Sequence, residues 1–518
     1  MSTVTSDAPA TDSKSAEELR EAAAHGLRWS AIARPATEVI QLGSVLILAR
    51  LIAPAEFGRV AIALIAQEVA YLIVSGGLSA ALVQRKTVSR EHLQSGTALA
   101  LLAGFGLALV TLVAASVIVT PVFGARTAFF VRLMAPLCVV SAMGTVPTAS
   151  LQRRMAFRRL SEAEVIGTFV RAAACVGLAL SGLEGEALVL GVLAGAVTSA
   201  MIMWFSAPPP LPRLYRRAAR ELLAYGLPAS LATVSWVGFS NIDYAIIGAR
   251  LGAFQTGIYF RAYTVAVEYQ SKLAMVMGSV GFPVLSRASS HEELTRLYRR
   301  MVGMLTTVLF PLLVLLAISA PVAIPFFFGP HWHDAVVPVQ ILCLGGGATL
   351  VANAAGTVLM ASGRARALLG FGLAHFTTYG LSVLLVVHWG IVAVAIDAAV
   401  VHTLFAVLAY RLMLRGSAEH PVRRLWEDAG PAVVSCLGLA AVAVPASAGL
   451  TAAGAPAAIW LLAIGAVAVP AYLLTLRVCF PATWRTQQSA VRRVLPPALR
   501  MPRALARPRW SQVPRRAG

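Results

Sequence analysis

Pro208-Pro209-Pro210-Leu211-Pro212, followed by Arg213, Arg216, Arg217 and Arg220, divides the chain. Four prolines in five residues cannot be helical, because each lacks the N–H and fixes φ. Six apolar stretches precede this linker and eight come after it. They run over 28–50, 59–83, 93–120, 127–150, 161–181 and 186–206; then 221–249, 257–285, 301–328, 335–361, 366–388 and 390–413; then 429–449 and 456–479. Each approaches the roughly 20 residues that cross a bilayer.

The loops between them alternate in charge. Arg85, Lys86 and Arg90 share one; Arg153, Arg154, Arg158 and Arg159 the next; Arg287, Arg296, Arg299 and Arg300, then Arg364 and Arg366, then Arg411, Arg415, Arg423 and Arg424 share later ones. The intervening loops hold almost no Lys or Arg; Arg50, Arg59, Arg126 and Arg250 are the exceptions. Basic residues beside spans stay on the cytoplasmic side, so both termini are expected in the cytoplasm.

Composition agrees. The chain is 58% hydrophobic and only 13% charged, with a mean hydropathy of +0.75, which excludes an ordinary soluble domain. The net charge of +20 would suggest nucleic acid in a soluble protein; here the basic loops, the tail and anionic lipid headgroups account for it, and no nucleic-acid partner is expected. The cysteines are scattered without metal or disulfide spacing, and neither a metal nor a cofactor is expected.

The expected architecture is all-α and polytopic, with about fourteen transmembrane helices. It comprises a cytoplasmic segment over 1–27, a six-helix lobe over 28–206, the linker over 207–220, a second six-helix lobe over 221–414, an accessory helix hairpin over 415–480 and a basic disordered tail over 481–518. An echo supports paired lobes. Ala49-Arg50-Leu51-Ile52-Ala53-Pro54-Ala55-Glu56-Phe57-Gly58 returns as Ala249-Arg250-Leu251-Gly252-Ala253-Phe254-Gln255-Thr256-Gly257. The copies lie six spans apart, an even number, which implies a parallel pseudo-repeat about the membrane normal.

Ionisable residues inside spans are costly, by about 2.5 kcal/mol or more, and so mark candidate function. Arg261, Glu268 and Lys272 fall within about 20° on an α-helical wheel. Arg34 and Glu38 repeat the pattern in the first span. Glu68, Asp243, Arg171 and Asp397 lie within others. Arg261, Lys272, Arg34 and Arg171 are cationic candidates for an anionic headgroup in a hydrated cavity. Glu268, Glu68, Asp243, Glu38 and Asp397 are candidates for charge balance or ion coupling. Structural ion pairing at i, i+4 is the competing reading for Glu268 with Lys272 and for Arg34 with Glu38. His331-Trp332-His333 reads as an interfacial loop with an anchoring Trp. His375 and His402 read as lone residues on apolar helices. The chain has no P-loop, GxSxG or HExxH, so no ATP or catalytic site is expected.

Arg50 through Gly58, with Gly76-Gly77-Leu78-Ser79-Ala80-Ala81-Leu82-Val83-Gln84-Arg85-Lys86, resembles the opening of Wzx-type bacterial polysaccharide flippases. Asn241-Ile242-Asp243-Tyr244, Gly257-Ile258-Tyr259-Phe260-Arg261-Ala262-Tyr263 and Phe282-Pro283-Val284-Leu285-Ser286-Arg287 resemble the same family, in particular its WzxC-like branch. The resemblance covers most of residues 28–415. It implies membership of the multidrug, oligosaccharidyl-lipid and polysaccharide exporter superfamily, with two lobes around a cavity and often two added C-terminal helices. The implied role is translocation of a polyprenyl-diphosphate-linked oligosaccharide from the inner to the outer leaflet, by alternating access without ATP. Lipid-linked oligosaccharide and membrane lipids are the implied partners; a polysaccharide polymerase and glycosyltransferases are candidates. The alternatives are a drug–cation antiporter, which would centre on acidic groups, and a lipid II flippase. A glycan polymerase or ligase would need larger outer loops than these.

Overall fold

A computed structural model describes residues 29, 33–85, 87–270, 272, 290–361, 365–414 and 421–494. The segment 1–27, Lys86, the motif 282–287, Arg364, Arg415 and the tail beyond 494 lie outside these residues. Among the described residues every regular element is helical. Eleven helices are long and apolar enough to cross a membrane.

In chain order the described helices are α1 (33–51), α2 (Pro54–Gln84), α3 (Arg90–Phe123), α4 (Ala125–Arg153), α5 (Phe157–Leu180), α6 (Gly185–Ser206), α7 (216–251, broken at Asn241), α8 (253–270), α9 (His291–Phe328), α10 (Val336–Ala361), α11 (Ala365–Val386), α12 (Ile391–Met413), α13 (Pro421–Ala452), α14 (Ala457–Cys479) and α15 (Pro481–Val494), and the eleven are all of these but α1, α7, α8 and α15. Gly252, with φ of 84°, makes the reversal between α7 and α8, a conformation that glycine reaches without a Cβ clash. Proline opens α2, where its missing N–H costs nothing.

The chain forms two compact units, and neither is one continuous stretch of sequence. The first takes Met1–Tyr269, Ala320–Gly345 and Ala365–His402; the second takes the remainder. In the first unit small residues let helices approach closely. A Cβ on Gly191 of α6 would overlap the Cys175 sulfur of α5, and Ser199 donates to the Ala163 carbonyl at 2.9 Å. At the basic end, Arg153 donates to the Leu82 and Val83 carbonyls at 2.9 and 3.2 Å, closing the C-terminus of α2. Glu221 of α7 gathers Arg85 at 2.6 Å, His92 at 3.1 Å and Arg217 at 3.2 Å. Part of the basic loop charge is therefore used in structure.

In the second unit α9 anchors both C-terminal helices. Arg299 donates to the two Asp428 oxygens at 2.9 and 2.8 Å, and Tyr410 donates to the same carboxylate at 2.5 Å. Tyr472 of α14 donates to the Thr307 carbonyl at 2.7 Å. The hairpin is thus fastened to α9 rather than only bathed in lipid. Bidentate Arg–carboxylate pairs are among the stronger polar contacts. Asp428→Asn keeps the shape and loses the charge, so it is expected to loosen α13 by about 1.5–3 kcal/mol. Limited proteolysis of the 415–420 connection checks this, with Tyr472→Phe, worth about 1 kcal/mol, as the milder comparison.

The stretch 481–494, expected to be unpacked tail, forms α15. Pro481 starts it, and Trp484 and Val491 alternate with Arg485, Arg492 and Arg493 at helical spacing. That is the pattern of a helix lying in an interface.

Candidate functional site: a latched helix end around a caged arginine

The last carbonyls of a helix have no partner within it. At one end of the first unit, α1 and α9 solve this for each other. Arg50, at the end of α1, donates to the carbonyls of Phe326 and Phe327 at the end of α9. Trp332, in the short 3₁₀ turn Pro330–Ala335 after α9, donates its indole N–H to the Ala49 carbonyl at 2.7 Å. Trp332 is 0% exposed. This corrects the reading of 331–333 as an interfacial loop: the indole is a buried fastener, because a helix end lay within reach of its N–H.

The echo glycines meet at the same end. A Cβ on Gly58 would overlap the Ala253 carbonyl oxygen, and a Cβ on Gly257 would overlap the Pro54 carbonyl oxygen. Ala253 stands four residues before Gly257, and Pro54 four before Gly58, so the contact is reciprocal between α2 and α8. Three of the four arginines that break the loop-charge pattern have partners here. Arg50 caps α9; Arg59 pairs with the buried Glu56; Arg126 lies 3.7 Å from Glu56 and 2.7 Å from Glu186. Arg250 is exposed.

One turn beyond Gly257, Arg261 is 3% exposed. Its guanidinium carbon lies 4.8 Å from the Phe57 ring centre, 5.4 Å from Trp332, 5.5 Å from Phe328 and 6.0 Å from Phe260. Phe57 meets Trp332 edge-on at 5.3 Å. A desolvated cation over an aromatic face gains about 2 kcal/mol. Glu268, Tyr269 and Tyr244 supply negative or dipolar charge nearby, and the buried Nε has no hydrogen-bond partner. The site therefore holds a cation chiefly by ring faces, with donor capacity to spare for an anion.

The α-helical wheel is interrupted beyond Arg261. Thr264–Glu268 is a π-turn, and one extra residue swings the later side chains by roughly 100°. Arg261 is buried and Glu268 half-buried. Lys272 is half-buried and belongs to the second unit. Arg34, Glu68 and Arg171 are exposed, and Glu38 is half-buried. Asp397 accepts the Ser382 hydroxyl at 2.8 Å. Asp243 is buried with Tyr379, which the sequence reading passed over. Phe57, Phe328 and Trp332 were also missed; Phe57 sits inside the echo and could have been found there.

Residues 47–337, more than half of the chain, match the family described as Polysaccharide biosynthesis protein. An uncharacterized membrane protein in the cps region of Klebsiella pneumoniae is 25% identical over 394 residues, 75% of this chain and 81% of that protein. The lipopolysaccharide biosynthesis protein WzxC of Escherichia coli (strain K12) is 25% identical over 410 residues, 77% of this chain and 82% of that one. A solved structure of the lipid II flippase MurJ in an inward closed conformation shares the fold at a TM-score of 0.68 and 13% identity, over 88% of this chain and 99% of that chain. This chain belongs to the polysaccharide biosynthesis protein family.

Proposed function

We propose that this protein flips a polyprenyl-diphosphate-linked saccharide from the inner to the outer leaflet of a bacterial plasma membrane. The observation that carries the reading is the latched end itself, where both halves of the sequence close on a buried arginine. An alternating carrier needs such an end, held by contacts that can part together. The loop charges assign it to the outer side, with both termini in the cytoplasm. The reciprocal Gly58–Gly257 contact supports a parallel repeat of two six-helix lobes, and the hairpin fastened to α9 is in keeping with two added spans after them.

On this reading the aromatic cage parts when the outer end opens. Arg261 then offers its N–H groups to the diphosphate as charge-assisted donors. Arg34, Arg171 and Lys272 are further cationic contacts, and Glu38, Glu68, Glu268, Asp243 and Asp397 balance or couple the charge. The prenyl chain stays in the bilayer. The likeness to a lipopolysaccharide biosynthesis protein supports a saccharide-bearing lipid over a drug.

Arg261→Ala removes both the caged cation and the phosphate donors. It is expected to reduce surface polysaccharide at least about tenfold, the effect of 1.4 kcal/mol, at unchanged protein level in the membrane. Arg261→Lys keeps the charge but loses the planar fork and is expected to fall between. Wild-type surface polysaccharide in Arg261→Ala cells would remove Arg261 from the pathway.

A further inference from the structure

Phe480 ends one helix and begins the next. Its N–H donates to the Leu476 carbonyl at 3.0 Å, closing α14, and its carbonyl accepts the Trp484 N–H at 3.0 Å, opening α15. Its φ of −130° and ψ of 62° leave the helical region, so the chain changes direction there. Pro481 takes the first position of α15, where its missing N–H costs nothing. The last turns of α14 carry exposed Leu474 and Val478, with Arg477 exposed beside them. Since α14 is long and apolar enough to cross a membrane, α15 starts at the level where a span meets headgroups.

The chain of α15 is suited to that level. Its main packing partner among the described helices is the end of α14. Thr486 and Ser489 donate their hydroxyls to the Ala482 and Thr486 carbonyls of their own helix, at 3.0 and 2.7 Å, so these short polar groups are satisfied locally. Trp484 is half-buried and Arg485 exposed. By register, Trp484, Val491 and Val494 fall within an arc of about 80°, and Arg485, Arg492 and Arg493 within an arc of about 100° almost opposite. Nine arginines and no Asp or Glu lie between Pro481 and Gly518, and the last acid in the chain is Asp428.

Two forces hold an interfacial helix: burial of its apolar face and attraction to anionic headgroups. One Trp and two Val make a small apolar face, so the charge decides. An arginine near an anionic leaflet strengthens binding about fivefold, and three together by on the order of a hundredfold. An acidic protein would also satisfy the arginines. It would have to cover the Trp484 arc as well, whereas the end of α14 already sets α15 beside lipid.

We propose that α15 is a binding surface for anionic phospholipid headgroups, which ties the end of the C-terminal hairpin to an acidic leaflet. The Trp484 arc enters between the headgroups and the arginine arc faces their phosphates. On the loop-charge assignment this leaflet is the cytoplasmic one. The lipid preference itself rests neither on that assignment nor on the flippase reading.

Full-length protein in nanodiscs tests the surface, because both leaflets then share one composition. Cys479, the exposed cysteine, is replaced by Ser, and a nitroxide is attached at Gln487→Cys, within the apolar arc, or at Ser489→Cys, within the basic arc. In discs of equimolar phosphatidylglycerol and phosphatidylcholine, the label at 487 is expected to meet lipid-dissolved oxygen and the label at 489 a neutral, water-soluble nickel chelate. In discs of phosphatidylcholine alone the ratio of docked to free helix is expected to fall by on the order of a hundredfold, and 487 becomes as open to nickel as 489. Salt at 1 M, which screens charges beyond about 3 Å, is expected to erase the contrast in the anionic discs, as is the pair Arg485→Glu and Arg492→Glu. The salt measurement needs no charge variant and so stands should that pair not fold. A contrast equal in both lipids, or one that survives salt, would show apolar anchoring without headgroup recognition. No contrast in the anionic discs would give the face to a protein partner. Each of these results overturns the proposal.

Discussion

Replacing Trp332 by alanine is expected to spring the latched end open. The variant loses a wholly buried ring, the bond to the Ala49 carbonyl, the edge contact with Phe57 and one wall of the Arg261 cage. Truncating a buried Trp costs about 3–5 kcal/mol, and here the cost falls on the closed arrangement. A cysteine at Ile52, buried at that end, reports the change through a membrane-impermeant maleimide added outside. Labelling is expected to rise by at least about tenfold, which needs only 1.4 kcal/mol of the loss. Trp332→Phe keeps a ring and gives up the N–H, so it is expected to rise less. Equal labelling in all three would mean that the indole holds nothing shut.

Gly58→Ala and Gly257→Ala are expected to be as damaging although each adds one methyl group. Each methyl would occupy the place of a carbonyl oxygen on the facing helix. Backbone cannot turn aside as a side chain can, and overpacking of this kind costs about 1–3 kcal/mol. Each single variant is expected to lose most surface polysaccharide while remaining in the membrane. Because both break one contact, the double variant is expected to be little worse than either, a plain failure of additivity. Gly43→Ala, with nothing within 4 Å of the added Cβ, is the matched control and is expected to behave as wild type. Normal export in Gly58→Ala and Gly257→Ala would show that α2 and α8 need not meet during the cycle.

Legibility in the amino-acid sequence depended on the length scale of each signal. Apolar runs of bilayer length survive local irregularity, so eleven of the expected spans were legible as helices long enough to cross a membrane among the described residues. The Ala-Arg-Leu echo was legible too, and its glycines are the ones in contact. The π-turn Thr264–Glu268 was not, since the wheel that joined Arg261, Glu268 and Lys272 assumes an unbroken α-helix. Trp332 was misjudged because a Trp in a loop ordinarily seeks the interface, and nothing local announces that the Ala49 carbonyl, 283 positions away, will claim its N–H. Asp243 was legible as a charge inside a span, but its partner Tyr379, 136 positions further on, was not.

The exchange of caps between α1 and α9 bears on how the chain is made. While a ribosome has produced only the first half, the Ala49 carbonyl has no indole and must be content with water or lipid headgroup. Arg50 likewise has no Phe326 or Phe327 to grip. The opening helix is therefore unfinished until residue 332 has been inserted. A chain cut within the proline-rich connection should leave an amino-terminal fragment that quality-control proteases clear, and that co-expression of the missing piece rescues.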